Sequence, residues 1–252
     1  MSEIRCALIL AGGESSPELF AATNQKDRAL IPVGGAPMIA RVIQALRGVA
    51  AIEHIAVVGS SAVLEAVKAA DIIAVAATSR MVENLATGTE TLRNSGVLSH
   101  GILACSCDIP LVTSATFEEL LKGACDLELA YPIVSRSVCQ TAFPGGKRTY
   151  AKLDGEEWTG GNAFVLPSRI LNEIVTLTDA AYQSRKNPAK LAGMLGANLM
   201  WKFATKKLRI ADVEMRASKI LSCRAGAVVM RDASIAFDVD KLSDWEAVKG
   251  LT

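Results

Sequence analysis

Ile4-Arg5-Cys6-Ala7-Leu8-Ile9-Leu10-Ala11-Gly12-Gly13 opens the chain and decides how the rest is read. A dominantly apolar run ending in paired glycines is the pattern of a buried strand, here Ile4 to Leu10, feeding a turn. Residues 11 to 29 read as a loop. Beyond them, Met38, Ile39, Val42, Ile43 and Leu46 fall at helical spacing behind Pro37, which the first turn of a helix tolerates, so 37–46 reads as a helix. Strand, loop, helix is one unit of an α/β architecture.

The unit recurs. Strands at 55–58, 72–75 and 101–104 alternate with helices at 62–69 and 83–93, and a helix N-capped by Ser114 runs to Lys122 before a strand at 127–134. Such alternation implies a mostly parallel sheet covered on both faces. After Ser135 the pattern is less regular. Residues 143–149 read as an exposed loop, Asp154-Gly155-Glu156-Glu157 as a turn and 163–166 as a strand; 168–222 is predominantly helical, broken at Asn187-Pro188.

Composition excludes several classes. Lys plus Arg number 27 against 26 for Asp plus Glu, a balance that gives no steering toward nucleic acid. No apolar run reaches the length of a membrane span, and 6–11 is too short for a secretory core, so the cytoplasm is expected. The six cysteines lack zinc or redox spacing, and Cys105-Ser106-Cys107 reads as a strand end. His54 and His100 have no partners at ligand spacing. Lys202, Lys206, Lys207 and Arg209, with Trp201 and Phe203 alongside, read as an amphipathic helix with a solvated basic face.

Leu10, Ala11, Gly12 and Gly13 offer backbone N–H groups without bulky side chains at the glycines, a cradle suited to phosphate oxygens, with Arg28 or Lys26 as countercharge. The same glycines also suit any tight turn. Ala7-Leu-Ile-Leu-Ala-Gly-Gly13 followed by Arg28-Ala-Leu-Ile-Pro-Val-Gly-Gly-Ala-Pro-Met38 resembles the signature of MobA-like nucleotidyltransferases. Two differences stand out: that family usually has lysine at the position of Arg28, and its loop is shorter, with an arginine soon after the glycines. The likeness is strongest over 6–46 and 101–113, returns at 159–167 and 236–247, and is weak from about 175 to 230.

The resemblance implies an α/β fold, a Rossmann-like three-layer αβα sandwich with a mostly parallel, partly mixed central sheet, in a single domain over 1–252. A helical insertion around 168–225 would serve the acceptor side or homo-oligomerisation. It implies a Mg²⁺-dependent transfer of a nucleotidyl group from a nucleoside triphosphate to a small phosphorylated acceptor, with release of pyrophosphate. Asp108, in Cys107-Asp108-Ile109-Pro110, would hold the metal at the end of a strand, with Asp240 completing the site and Asp238 as the alternative. Asp244 falls in the first turn of a final helix. Asn84 and Gly88 would approach the base or ribose; Lys152, Gly161 and Asn162 would face the acceptor; Lys147 and Arg148 read as a solvated loop. The plainer alternatives are a loop-capping Asp108, solvated aspartates near the C-terminus and a helix-capping Asn84. Two rival functions remain open: a nucleotide-binding regulator without turnover, and a nucleotide-sugar-dependent glycosyltransferase, whose Asp-x-Asp motif would lie midchain rather than at 238–240.

Overall fold

The computed structural model describes residues 4–98, 100–146, 148–171, 173, 174, 176, 177 and 196–251. β1 (Ile4–Ala11) leads to α1 (Pro17–Thr23), the short pair β2 (Pro32–Val33) and β3 (Ala36–Pro37), α2 (Met38–Arg47), β4 (His54–Gly59), α3 (Ser61–Ala66), β5 (Ile72–Ala76), α4 (Met81–Asn94) and β6 (Gly101–Ser106). Then follow α5 (Ser114–Gly123), β7 (Leu129–Ser135), α6 (Arg136–Ala142), β8 (Ala151–Leu153), β9 (Glu156–Gly160) and β10 (Ala163–Pro167). The last described elements are α7 (Ala197–Ala204), α8 (Ile210–Leu221), β11 (Ala225–Met230) and α9 (Leu242–Val248).

Among the described residues, nine strands form one sheet in the order β5-β4-β1-β6-β10-β7-β9-β8, with β11 beside β7. β1 runs parallel to β4 and β6, and β4 parallel to β5, whereas β10 is antiparallel to β6 and β9 antiparallel to β7. The sheet is therefore mostly parallel and partly mixed. Alternate side chains of β1 feed two cores. Ala7, Ile9 and Ala11 pack with Ile39, Val42 and Leu46 of α2 and Phe117 of α5; Cys6 and Leu8 pack on the other face with Leu92 of α4. Burial on both faces is why β1 is apolar nearly throughout.

Several sequence-based expectations are corrected. Residues 11–29 are not all loop: α1 lies within them, N-capped by Ser16, whose Oγ accepts from Leu19 N–H, and ended by Asn24 in the left-handed region. Its only buried residue is Leu19, so no apolar periodicity announces it. The N-cap of α5 is Thr113 rather than Ser114, because Thr113 Oγ1 accepts from Thr116 N–H. The Asp154-Gly155 turn joins two short strands, β8 and β9. α6 and β11 are elements that periodicity did not signal.

β11 follows the stretch expected to be helical and closes one edge of the sheet. Its outward N–H groups are met by side chains: Ala225 donates to Ser218 Oγ (3.0 Å), Ala227 to Glu214 Oε1 (2.7 Å), and the following Arg231 to Glu119 Oε1 (2.8 Å). Such cover blunts an otherwise adhesive edge. The break at Asn187-Pro188 lies outside the described residues. The basic face of α7 is also corrected: Lys202 is half-buried and donates to Asp212 Oδ1 (2.8 Å), while Trp201 and Phe203 are exposed. Asp212, held by Lys202 and then Arg209, has its carboxyl pulled down to about 2. No helix among the described residues is long and apolar enough to cross a membrane.

Gly88 carries the close approach of α4 to the sheet. A Cβ there would lie 2.6 Å from Leu8 Cδ1 and 2.9 Å from Val58 Cγ2. Gly88→Val is expected to destabilise the fold by about 1–3 kcal/mol through overpacking, measured as a lower urea midpoint with an unchanged slope; an unchanged midpoint would mean that α4 is free to move outward.

Candidate functional site

The carboxyl ends of β1 and β6 lie side by side, and the chain leaves β1 first to β4 on one side and later to β6 on the other. That is a switch point, where open α/β sheets form a ligand crevice. Leu10 and Ala11 are the last residues of β1, and Gly12 and Gly13 open the exposed loop. Backbone hydrogen bonds stitch the surrounding loops together. Cys107 N–H donates to Leu10 O (3.2 Å), Ser106 to Asn162 O (3.0 Å), Asn162 to Ile235 O (2.8 Å), and Val239 to Asp108 O (2.8 Å). The last of these brings the segment carrying Asp238 and Asp240 against Asp108.

The long insertion closes at its base. Ser15 N–H donates to Lys26 O (2.8 Å), Arg28 N–H donates to Gly13 O (3.1 Å), and Glu14 bridges Asp27. Arg28 is thereby returned to the glycine loop, close enough that a Cβ on Gly13 would lie 3.7 Å from Nη2. Its Nη1 donates to Asp108 Oδ2 (2.9 Å) and also to Asp240 Oδ1, and Nη2 donates to Glu14 O (3.4 Å). Lys26 instead points outward, three-quarters exposed, and pairs with Glu14 at 3.2 Å.

These contacts define the electrostatics. Burial works against the Arg28 charge, but Asp108 and Asp240 outweigh it and hold its pKa above the ordinary arginine value. Burial pushes the Asp240 carboxyl up; Arg28 opposes that rise, while Asp238 and Asp108 add to it. Cys105 and Cys107 are buried beneath, and burial, aided by Asp108, raises Cys105 to about 12 and Cys107 well above the usual thiol range. They are core thiols rather than nucleophiles.

Asp238 pairs with Arg148, whose guanidinium stacks 4.6 Å from the Phe237 ring centre and also donates to Asp238 O (3.3 Å), and its carboxylate lies beside that of Asp240. Arg148 is thus a half-buried anchor of the 237–240 segment, not a solvated loop residue; Lys147 lies outside the described residues. The signal available in sequence was Phe237-Asp238 itself, an aromatic next to a carboxylate, which suits a guanidinium. Asp244 lies in the first turn of α9 and accepts from Lys241 N–H (3.0 Å).

Asp108, Asp240 and neighbouring oxygens are hard donors suited to Mg²⁺. Among the described residues, no three His, Cys, Asp or Glu side chains converge as a ready metal cage. Two carboxylates sharing one cationic nitrogen match the way Mg²⁺ is usually held, by one or two carboxylates together with substrate phosphates. The residues present therefore fit that ion.

Other predicted residues are placed differently. Asn84 is buried behind Gly12, where a Cβ would lie 2.9 Å from its Nδ2; its Oδ1 accepts from Thr78 N–H (2.6 Å) and its Nδ2 donates to Thr78 O (3.3 Å). Its side chain fixes the loop after β5. Gly88 lies on the face of α4 that packs against Leu8 and Val58 of the sheet. Gly161 lies against Pro132 and Ile235 with no room for a Cβ, and Asn162 follows in the backbone stitch. Lys152 is exposed on the edge strand β8, separated from β6 by β10, β7 and β9.

The profile of the MobA-like NTP transferase domain matches residues 7–186. A hypothetical transferase from Thermus thermophilus is 29% identical with a TM-score of 0.81, over 96% of this chain and 99% of that one. The 2-C-methyl-D-erythritol 4-phosphate cytidylyltransferase of Thermus thermophilus is 14% identical with a TM-score of 0.57, over 98% of each chain. CMP:2-keto-3-deoxy-manno-octonic acid synthetase, solved with CTP, is 17% identical with a TM-score of 0.59, also over 98% of each chain. At those identities, the last two are alike in fold. No curated protein sequence matches the chain.

Arg148→Met is expected to cost roughly 1.5–3 kcal/mol, the range for a hydrogen bond to a charged group, read in urea denaturation; no loss would show the Asp238 pair to be idle. Removing the Arg28 charge takes away the influence that lowers Asp240, so Arg28→Met should move the Asp240 titration to higher pH. Carboxyl ¹³C NMR would show this, and a shift to lower pH would contradict the geometry.

Proposed function

The chain belongs to the MobA-like NTP transferase family, a family of nucleotidyltransferases, and from that premise we propose that it transfers a nucleotidyl group from a nucleoside triphosphate, with Mg²⁺, to a small phosphorylated acceptor. The observation that carries this reading is the convergence of Gly13, Arg28, Asp108 and Asp240 at the switch point: phosphate cradle, countercharge and metal-type carboxylates within one crevice.

In this reading the N–H groups around Gly12 and Gly13 hold the β- and γ-phosphates; a divalent cation held at Asp108 and Asp240 would supply neutralisation of triphosphate charge. Asp108 and Asp240 hold that cation. Asp238, tied to Arg148, acts as their support rather than as a direct ligand. Arg28 offsets charge on the departing pyrophosphate, and Lys26, being exposed, is its reserve. An acceptor phosphate oxygen attacks the α-phosphorus in line and the bond to pyrophosphate breaks. That oxygen is already ionised, so no strong general base is required, in keeping with a chain of only two histidines.

Asn84 serves the base end by fixing the loop at Thr78 beside Gly12. Gly161 and Asn162 shape the acceptor side next to Ser106, and Lys152, on the edge strand β8, would meet only an acceptor that extends across the sheet to that edge. The whole chain acts as one domain, with the stretch around 168–225 setting acceptor identity or self-association. The cysteines are free thiols and Cys6 donates its thiol hydrogen to Val97 O (3.0 Å), which suits a reducing compartment such as the cytoplasm.

A thermal-shift screen of ATP, GTP, CTP and UTP with Mg²⁺ should reveal at least one stabilising triphosphate. Pyrophosphate release across a panel of sugar phosphates, alcohol phosphates and cofactor precursors should then identify the acceptor. Asp108→Ala should reduce release by more than the roughly 10–100-fold that loss of an outer-shell metal partner costs, with the fold retained by circular dichroism. Full activity in that variant would remove the metal assignment. Binding without release would point to a regulator, and release of a nucleoside diphosphate from a nucleotide sugar to a glycosyltransferase.

A further inference from the structure

Arg28 occupies a position with two sets of claimants. Its Nη1 is hydrogen-bonded to Asp108 Oδ2 at 2.9 Å and to Asp240 Oδ1, while the same guanidinium lies against the backbone of Gly13, where a Cβ would be 3.7–3.8 Å from Nη2, Cζ and Nε. Its Nε is buried with no hydrogen-bond partner. One end of the group is satisfied by carboxylates, and the end nearer the glycine loop holds an unspent donor. Lysine, with a single ammonium, has no such second end; a guanidinium presents a fork.

We propose that Arg28 is a latch: in the ligand-free protein it is the counterion of Asp108 and Asp240, and it yields them to a divalent cation only when a triphosphate arrives in the Gly12–Gly13 loop to receive the guanidinium. This rests on the nucleotidyltransferase reading above. A divalent ion held by both carboxylates competes with Nη1 for the same oxygens. Binding of the ion alone leaves a largely enclosed guanidinium without an anion, which is costly. A triphosphate removes that cost by offering bidentate acceptors to the freed fork, including the donor at Nε. Metal and triphosphate then promote each other's binding, by the same factor in both directions.

The long insertion fits this role. Because Arg28 N–H is fastened to Gly13 O, the backbone of the latch is anchored to the cradle, and only the side chain has to turn from carboxylates to phosphates. The tether keeps the latch available to both ligands.

The test uses Mn²⁺ alone, titrated against the intact protein without nucleotide and followed by the loss of the free-ion EPR signal. Arg28→Met and Arg28→Ala, each checked for folding by circular dichroism, should bind Mn²⁺ about tenfold or more tightly than the unaltered chain. The double variant Arg28→Met with Asp108→Asn should lose that gain. Equal Mn²⁺ affinity in the unaltered chain and both single variants overturns the latch. A gain that survives in the double variant also overturns it, because the ion would then lie elsewhere. Triphosphate binding is read separately, by thermal shift with Mg²⁺. If the variants gain Mn²⁺ affinity but no triphosphate stabilises the unaltered chain, the carboxylate–guanidinium competition stands and the transferase reading falls. If triphosphates bind while Mn²⁺ affinity is indifferent to Arg28, the reverse holds.

Discussion

The crevice depends on how the buried backbone groups beyond the parallel strands are paired. A strand end inside a three-layer fold leaves N–H and C=O groups that water cannot reach, and each must find a partner. Here the partners are the neighbouring loops: Leu10 O takes Cys107 N–H, Asn162 O takes Ser106 N–H, Ile235 O takes Asn162 N–H, and Asp108 O takes Val239 N–H. The last link spans more than half the chain and sets the spacing of the acidic groups. Asp240 is half-exposed, and this bond holds its segment beside Asp108 and Arg28.

A second consequence concerns the long loop after Gly13. Lengthening a loop adds little closure entropy when its ends are held, and these ends are held by the bonds from Ser15 to Lys26 and from Arg28 to Gly13. Within it, α1 places Leu19 in a small core with Ile31, Val33, Met38, Phe237 and Val239. The insertion therefore braces the C-terminal segment as well as returning Arg28. Trp245 adds to that brace, its Nε1 donating to Pro32 O at 2.8 Å. The two stretches that resemble the family at opposite ends of the chain are joined physically through these contacts.

Much of this was legible. Continuous apolar runs marked β1, β4 and β6 because strands covered on both faces need them, and α2 announced itself by its buried stripe of Met38, Ile39, Val42, Ile43 and Leu46. The short and exposed elements were not legible in the same way. α1 and α6 each bury a single residue, and β8 is mostly exposed, so none of them imprints a period on the sequence. Gly88 illustrates a different limit: the lateral closeness of Leu8 and Val58, which leaves no room for a Cβ there, has no mark in the sequence. Only a packed helix reveals that.

Residue order alone carried the α/β class, the succession of strand, glycine loop and helix, and the residue types that stand at Gly12, Gly13, Arg28, Asp108 and Asp240. Those follow from local physics: burial dictates apolar runs, turns dictate glycine, and charge is chemical identity. The pairings were decided by tertiary structure alone. That Arg28 bridges Asp108 and Asp240, that Arg148 takes Asp238 and stacks on Phe237, and that Asn84 serves Thr78 are outcomes of which loop ends meet. Residues far apart in the chain have no sequence signal for their mutual distance, so a charge's partner is chosen only when the sheet order brings it near.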